Sequence, residues 1–417
     1  MSSGGIDARP TPPGVAEAEA DDMLVHPHRL RRALVKTETL AGHQADEVRM
    51  VRAPGRVNLI GEHTDYNEGF VLPAAIGLET WIASAPSNDR RVELTRLDSG
   101  ERDGFQLDGL APPPEGSERW IDYVAGVAWS LAREGVRLRG VRGVIASDLP
   151  ISSGLSSSAA LELASAWTLC AEAPPPLDGM RLAQACQRAE NEYVGVKVGL
   201  MDQFASALGR PSAALLLDCR SLEYRAVELP LDDYLLVVCD TRSPRRLESS
   251  QYNARREQCE RGVAALARHR PEIRSLRDVS VGLLESAREE LDEETFRRCE
   301  HVVRENDRVL AFERALEDGD LAAAGRLMAE SHASLRDLYE VSSAELDALV
   351  EICASVDGVV GARMTGAGFG GCTVNLAARD AVDRVREAVA REYPSRSGLD
   401  AAVYVVEPVG GAGLVEP

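Results

Sequence analysis

The chain has 417 residues and a formal net charge of −20 at pH 7. This length exceeds what one hydrophobic core usually organises, so we expect two domains. Nucleic acids and anionic membranes both select for clustered positive charge, and the strong negative charge therefore argues against either as a partner. The expected substrate is a small molecule.

The cysteines, lysines and apolar residues argue against several further kinds of site and location. Eight cysteines lie scattered without a Cys-x-x-Cys pair, which argues against a zinc site and a disulfide framework. No apolar stretch could span a bilayer and no signal-peptide pattern opens the chain, so we expect a cytoplasmic protein. The only lysines, Lys36 and Lys197, do not follow a glycine-rich loop, which excludes a Walker-type phosphate loop.

The first part of the chain contains a tail and two strand-like runs. Residues 1–22 cannot bury enough apolar surface to offset the entropy of ordering, so we expect a disordered tail. Strand-like runs at 48–53 and 69–76 enclose a polar segment, and the first run is expected to end at Pro54-Gly55.

The polar segment at 52–66 crowds cations, carboxylates, an imidazole and a phenol beside apolar anchors. Carboxylate, imidazole and amide groups together can pair the donors and acceptors of a polyhydroxylated ligand. This composition predicts a sugar site. The alternative is a solvated turn held by pairs of arginine and carboxylate side chains.

A glycine turn and three serines at 154–158 separate a strand-like run at 141–146 from a helix-forming run. Unpaired backbone N–H groups and the positive end of the macrodipole at a helix N-terminus accept phosphate. We assign the backbone N–H groups of Ser156, Ser157 and Ser158 to nucleotide phosphates, and the Ser158 hydroxyl to Mg²⁺, which prefers hard oxygen ligands. Ordinary helix capping by these serines is the alternative.

Two carboxylates further along the chain are candidates for chemistry. Glu190 shares a helical stripe with Ala183 and Tyr193 and has no cation three or four residues away, so it is a candidate metal ligand. Asp202 stands at an expected helix start, from which it could accept the proton of an attacking hydroxyl. The alternatives are an exposed glutamate and a simple N-cap.

The second half of the chain is predicted to be helical from about Gln251 to Glu351. Strand-like runs at 359–364 and 372–376 follow, and the glycine-rich stretch at 366–371 between them predicts a hairpin whose backbone is closely approached.

Three segments, at 55–66, 150–160 and 361–372, resemble in order the three motifs of the galactokinases, which are GHMP small-molecule kinases. The Glu-His-Thr-Asp-Tyr sequence at 62–66 is specific to galactokinase-type members, and the resemblance runs from about residue 45 to 405. It implies a two-lobed α+β fold with the active site between the lobes. The N-terminal mixed-sheet lobe with helices would span 23–229, and the C-terminal α/β sandwich lobe 230–417.

The resemblance implies ATP-dependent phosphorylation of the anomeric hydroxyl of α-D-galactose, the entry step of galactose breakdown. Arg56 would stabilise the transferring phosphoryl group, and Asp202 would accept the proton. Ser158 and Glu190 would hold Mg²⁺. The residues implied to contact galactose are Glu62, His63, Thr64, Asp65, Gly199 and Tyr252. Those implied to bind ATP are Ser152, Ser153, Gly154, Leu155, Ser156, Ser157 and Ser158.

The sequence departs from the family pattern at one place. The family usually has glycine or another small residue at the positions of Ser152 and Ser153, and serine side chains there could crowd the phosphates or add hydrogen bonds. The alternative functions are a kinase of a related sugar, such as N-acetylgalactosamine or L-arabinose, and a galactose sensor without turnover. Sensors have lost residues just after the serines, whereas Ser158-Ala159-Ala160 is intact here. We expect a monomer, with a weak homodimer as the alternative.

Overall fold

The computed structural model describes residues 25–36, 48–114, 116, 119–150, 153–243 and 248–415. The tail predicted at 1–22 lies outside these described residues. Among the helices of the described residues, none combines the length and the apolar character that crossing a membrane requires.

The N-terminal half is built on a six-stranded sheet. Its strands are β1 (Arg49–Asn58), β3 (Pro73–Ser87), β4 (Arg91–Arg96), β5 (Arg102–Gln106), β6 (Gly140–Ser147) and β13 (Gly413–Leu414). Their order is β13-β1-β3-β6-β4-β5, and β4 and β6 run parallel while the other neighbours run antiparallel. The end of the chain therefore returns to pair with β1, which carries Arg56.

Five helices accompany this sheet. They are α1 (Pro27–Lys36), α2 (Ile121–Arg133), α3 (Ser157–Leu169), α4 (Gly179–Arg188) and α5 (Met201–Leu208). Helix α3 packs on β1 and β3, and a π-helical turn at Ala189–Val194 continues α4. The apolar faces of α2, α3 and α4 join the sheet in one buried core.

Two smaller antiparallel sheets complete the strands. One contains β2 (Phe70–Val71), β7 (Ala213–Asp218) and β8 (Tyr224–Glu228). The other contains β9 (Tyr234–Asp240), β10 (Val359–Thr365), β11 (Cys372–Ala378) and β12 (Ala402–Val406), in the order β10-β11-β9-β12. The hairpin of β10 and β11 confirms the prediction for that segment.

The second half is mainly helical, as predicted. Its helices are α6 (Glu248–Ala267), α7 (Val281–Ser286), α8 (Glu293–Glu317), α9 (Leu321–Ser334), α10 (Ala344–Ala354) and α11 (Val382–Ser397). Helices α10 and α11 form a core with the sheet of β9 to β12, and a π-helical turn at Leu335–Tyr339 follows α9. The mixture of sheets and helices gives the expected α+β class.

The prediction that the first strand ends at Pro54-Gly55 is wrong. Strand β1 continues to Asn58, because a register shift at Pro54/Gly55 takes up the residue that lacks an N–H donor. Gly55 also permits a close approach, since a Cβ there would overlap the carbonyl oxygen of Leu155. The backbone N–H of Arg56 donates to that same oxygen at 3.1 Å, so the sheet touches the serine-rich loop directly.

Candidate active site

Arg56 and Asp202 form a two-pronged ion pair at the centre of the site. Arg56 Nε donates to Asp202 Oδ1, and Nη2 donates to Oδ2, each at 2.8 Å. The N-cap of α5 is Leu200 and Asp202 lies inside the first turn, so the interpretation of Asp202 as a simple N-cap is wrong. The arginine side chain is 4% exposed and the carboxylate 27% exposed, so the carboxylate is open to a ligand while a bidentate partner fixes its direction.

The serine-rich loop is folded against this ion pair. Gly154 and Ser156 adopt left-handed conformations, with φ of 80° and 62°. The carbonyl oxygen of Gly154 accepts a bond from Arg56 Nη1, and the Ser156 hydroxyl donates to Asp202 Oδ2 at 2.6 Å. Ser156 occupies the N-cap position of α3 without making a side-chain cap bond, so the capping interpretation is wrong for it. The first N–H groups of α3 are left for an anion.

The other serines of the loop have different partners. Ser153 is buried and its hydroxyl donates to the carbonyl oxygen of Pro150 at 2.8 Å, so this side chain is used inside the loop. Ser157 and Ser158 open α3 and are half-buried, and Ser158 hydrogen-bonds with Glu190. Ser152 lies outside the described residues.

Glu190 lies in the π-helical turn and is buried, so its interpretation as an exposed glutamate is wrong. Gln203 Nε2 donates to Glu190 Oε2 at 2.8 Å and to Oε2 of the buried Glu162 at 3.0 Å. Burial, and then the charge of Asp202, raises the pKa of Glu190 to about 8. Burial, and then the charge of Glu190, raises the pKa of Glu162 well above its ordinary value. Crowded carboxyl groups of this kind favour a bound cation.

The donor set fits Mg²⁺. Ser158 and Glu190 supply hard oxygen ligands, and Oε1 of Gln203 is a buried oxygen that accepts no hydrogen bond from the described residues. Within the described part of the chain, no group of three histidine, cysteine, aspartate or glutamate side chains is arranged to hold a metal ion by itself. Mg²⁺ is usually held by one or two carboxylates together with substrate phosphates, so a partial protein site is what it requires.

In the segment at 62–66 the first three residues are buried and the last two are half-buried, so its interpretation as a solvated turn is wrong. Glu62 forms an ion pair with Arg363 of β10, and both side chains are almost completely buried. Glu62 Oε1 also accepts a hydrogen bond from the backbone N–H of Gly366 at 3.1 Å. Burial raises the pKa of Glu62, and the Arg363 guanidinium opposes this shift.

His63 and Thr64 have all their polar side-chain atoms bonded within the protein. His63 Nε2 contacts the carbonyl oxygen of Ala367 at 3.1 Å, and Nδ1 contacts the Tyr66 hydroxyl at 2.8 Å. Burial is the main cause that lowers the pKa of His63 to about 3, so the ring is neutral. The Thr64 hydroxyl lies within hydrogen-bond distance of the carbonyl oxygens of Gly61 and Phe70. Both residues therefore shape the loop.

Asp65, Gly199 and Tyr252 meet beside Asp202. Asp65 accepts hydrogen bonds from the backbone N–H groups of Tyr66 and Met201, so it holds the start of α5. A Cβ on Gly199 would overlap the Asp65 carboxylate, and the Gly199 N–H instead donates to the Tyr252 hydroxyl. Burial, and then the charge of Asp202, raises the pKa of Asp65 to about 6.

Sequence reasoning missed several buried polar residues behind these loops. Glu305 accepts the backbone N–H of Gly61 at 3.0 Å and the Ser331 hydroxyl at 2.5 Å. Its signal was a carboxylate at helical spacing from the buried Val302 and Val309. Glu162 had a similar signal, since it is the only charged residue within α3.

Three family models match separate segments of the chain. The galactokinase galactose-binding signature matches residues 38–86. The GHMP kinase N-terminal domain matches residues 122–210, and the GHMP kinase C-terminal domain matches residues 312–395.

Individual proteins agree with the family models. A galactokinase of Roseiflexus sp. (strain RS-1) is 48% identical over 367 residues, which cover 88% of this chain and 93% of the relative. The crystal structure of Lactococcus lactis galactokinase complexed with galactose superimposes with a TM-score of 0.87 at 37% identity, over 92% of this chain and all of that one. Methanococcus jannaschii mevalonate kinase shares the fold, with a TM-score of 0.63 at 18% identity over 88% of this chain and all of that one. The chain therefore belongs to the galactokinases, within the GHMP kinase superfamily.

Proposed function

We propose that this chain transfers the γ-phosphoryl group of ATP to the anomeric hydroxyl of α-D-galactose, giving galactose 1-phosphate and ADP. The Arg56–Asp202 ion pair is the observation that carries this proposal, because the sugar loop at 62–66 and the phosphate loop at 153–158 both contact it or its immediate neighbours. The Roseiflexus relative is a galactokinase, and the Lactococcus lactis structure is a complex with galactose.

Asp202 accepts the proton of the attacking sugar hydroxyl. Its carboxylate is the more exposed member of the ion pair and is held by Arg56 on one side and Ser156 on the other. Phosphoryl transfer depends on positioning and on stabilising the charge of the phosphoryl oxygens, with little covalent chemistry by the protein. Arg56 supplies a fixed positive charge for that purpose, and Asp202 is the group placed to take the proton.

The first turn of α3 holds the phosphates of ATP through its backbone N–H groups. Ser156 turns its hydroxyl to Asp202, so these N–H groups remain available to phosphate oxygens. Gly154 supports the turn through its left-handed conformation, which an L side chain would strain. Ser152, Ser153, Leu155 and Ser157 complete the nucleotide loop in this proposal.

Ser158 and Glu190 are the residues that would hold Mg²⁺. Bound there with the nucleotide, the ion neutralises phosphate charge. Gln203 fixes the direction of the Glu190 carboxylate by donating to one of its oxygens.

The galactose hydroxyls are recognised by Asp65, Glu62 and Tyr252, with the backbone of Gly199 alongside. Asp65 and Tyr252 lie near Asp202. A sugar that presents its anomeric hydroxyl to Asp202 therefore brings its other hydroxyls close to both side chains. Arg363 keeps the Glu62 carboxylate in place, while His63 and Thr64 hold the backbone of the loop.

The acceptor is tested by measuring ADP release from the purified protein with ATP and Mg²⁺. Galactose, N-acetylgalactosamine, L-arabinose, glucose and mevalonate are compared with a reaction that lacks an acceptor. We expect ADP release with galactose well above every other acceptor. Faster release with another sugar would move the substrate within the same fold, and binding of galactose and ATP without any ADP would indicate a sensor.

A further inference from the structure

A chain of four hydrogen bonds runs behind the sugar loop. It links the Ala367 carbonyl oxygen to His63 Nε2 at 3.1 Å, and His63 Nδ1 to the Tyr66 hydroxyl at 2.8 Å. From there the Tyr66 hydroxyl reaches the Tyr339 hydroxyl at 2.7 Å, and that hydroxyl reaches Cys259 Sγ at 3.2 Å. His63, Tyr339 and Cys259 are buried.

The direction of every bond follows from the carbonyl end. A carbonyl oxygen only accepts, so His63 Nε2 carries a proton and donates it to Ala367. A neutral imidazole then has a bare Nδ1, and the Tyr66 hydroxyl must donate to it. Because Tyr66 has one proton, Tyr339 donates to Tyr66, and by the same reasoning the Cys259 thiol donates to Tyr339. The burial that keeps the His63 ring neutral supports this order.

The chain of bonds joins four separate parts of the fold. Ala367 lies in the glycine-rich turn between β10 and β11, and His63 and Tyr66 lie in the sugar loop. Tyr339 ends the π-helical turn after α9, and Cys259 lies on α6. Arg255 of α6 adds a second contact between α6 and the π-helical turn, because it donates to the carbonyl oxygen of Tyr339 at 2.7 Å.

Helix α6 also carries Tyr252, which is seven residues before Cys259. Seven residues are close to two helical turns, so both side chains project from the same face of α6. The Tyr252 ring lies 5.5 Å from the His63 ring and 5.4 Å from the Tyr66 ring, between centroids. The chain of hydrogen bonds and the aromatic contacts together therefore set the position of Tyr252 relative to the sugar loop.

We infer that Tyr66 and Tyr339 are positioning residues for galactose, which hold His63 in its Nε2–H tautomer and fix α6, with Tyr252, against the sugar loop. This inference rests on the proposed galactose site and adds two residues to which no contact with the sugar is assigned. The bonds run in one direction only, so removing one hydroxyl leaves a buried acceptor without its donor.

The first test compares Tyr66→Phe with Tyr393→Phe. Tyr393 is a matched control, because its buried hydroxyl donates to the Thr241 carbonyl oxygen at 2.9 Å outside this chain of bonds. We expect Tyr66→Phe to raise the KM for galactose about tenfold, the size typical of a buried acceptor that loses its donor, with the KM for ATP unchanged. Tyr393→Phe is expected to lower Tm without changing either KM. An unchanged galactose KM in folded Tyr66→Phe would overturn the inference.

The second test asks whether the two tyrosines act as a unit. Once the Tyr66 hydroxyl is removed, the Tyr339 proton no longer supports His63, so the double variant Tyr66→Phe/Tyr339→Phe should raise the galactose KM little more than Tyr66→Phe alone. Cys259→Ser keeps a donor and is expected to retain the wild-type KM. A single chain of bonds would be contradicted if Tyr66→Phe and Tyr339→Phe each raised the galactose KM and their fold-increases multiplied in the double variant.

The third test reads the tautomer without any turnover. Nitrogen-15 NMR of histidine-labelled wild-type protein, assigned with His63→Gln, should show an unprotonated Nδ1 and a protonated Nε2 at neutral pH. A protonated Nδ1 would reverse the bond directions and overturn the inference. Because this measurement does not use the kinase assay, it separates a failure of this inference from a failure of the proposed galactokinase activity.

Discussion

The sugar loop at 62–66 and the phosphate loop at 153–158 meet at one ion pair but are built differently. In the sugar loop the side chains of Glu62 and His63 are bonded to distant parts of the protein, and the Thr64 hydroxyl is bonded to nearby backbone. In the phosphate loop the N-cap residue Ser156 leaves the helix start uncapped and turns to Asp202. A rigid pocket that excludes wrong sugars needs internal bonds, whereas a phosphate cradle needs N–H groups that no side chain has taken.

The largest expected effect lies where the two loops meet. Asp202→Ala should lower kcat by about 10²- to 10⁴-fold, because the group that accepts the proton is gone. Steady-state ADP release measures this change, and circular dichroism checks the fold, since the buried Arg56 loses its partner. Asp202→Asn serves as the control of similar size, and it should be nearly as inactive. A folded Asp202→Ala protein with near-normal kcat would remove Asp202 from proton transfer.

The next effect tests the phosphate side alone. Glu190→Gln should raise the Mg²⁺ concentration for half-maximal activity by about 10- to 100-fold, because it removes a charged ligand while keeping its size. Glu192→Gln is the matched control, since Glu192 is exposed in the same π-helical turn. The galactose KM should stay the same in both variants. An unchanged Mg²⁺ titration for Glu190→Gln would leave Glu190 without a role in metal binding.

A smaller effect tests how tightly the sugar side is built. Gly199→Ala would push a methyl group into the Asp65 carboxylate and should raise the galactose KM about tenfold, a typical result of overpacking a rigid site. Gly282→Ala is the control, because a methyl group on Gly282 meets open space. Galactose and ATP titrations of both proteins give the measurement. An unchanged galactose KM in Gly199→Ala would show that the Asp65 side chain can move to accommodate the methyl group.

The smallest effect is a pH dependence of the sugar side. The pKa of Asp65 is raised to about 6, so the carboxylate form prevails above pH 6 and is lost as the pH falls through that value. The kcat/KM for galactose should therefore be about half its plateau at pH 6 and fall about tenfold at pH 5, since this ratio reports groups of the free enzyme. In Asp65→Asn this inflection should be absent. Persistence of the inflection would assign it to another group.

Much of the site was predictable because its residues cluster in the sequence. The glycine turn and serines before α3, the polar segment before β2 and the start of α5 each carry a local signal of turn, cap or charge. Burial of Glu190 was also predictable, since no nearby cation could pair with it and its neighbours on the helix face are apolar. The roles assigned to the site residues, Mg²⁺ as the bound ion, the domain boundary between 229 and 230, the monomeric state and the cytoplasmic location stay predictions.

The remaining features depend on contacts that no local pattern carries. The continuation of β1 through Pro54 requires the register shift against β3, and the partner of Glu62 is Arg363, far along the chain. The turn of Ser156 toward Asp202 likewise depends on the packing of α3 near α5. These are tertiary choices among several locally acceptable conformations, so a single sequence does not rank them.

The bond between Gly366 and Glu62 spans 304 residues of sequence, which ties the active site to the timing of protein synthesis. At about 5 to 20 residues per second, a ribosome needs roughly 15 to 60 s between making one partner and the other. Throughout that interval Glu62 lacks the arginine and the backbone N–H that it contacts in the folded protein. A nascent chain released before β10 would therefore contain the whole sugar motif and still lack a formed sugar pocket, so the synthesis of β10 decides when the enzyme can become active.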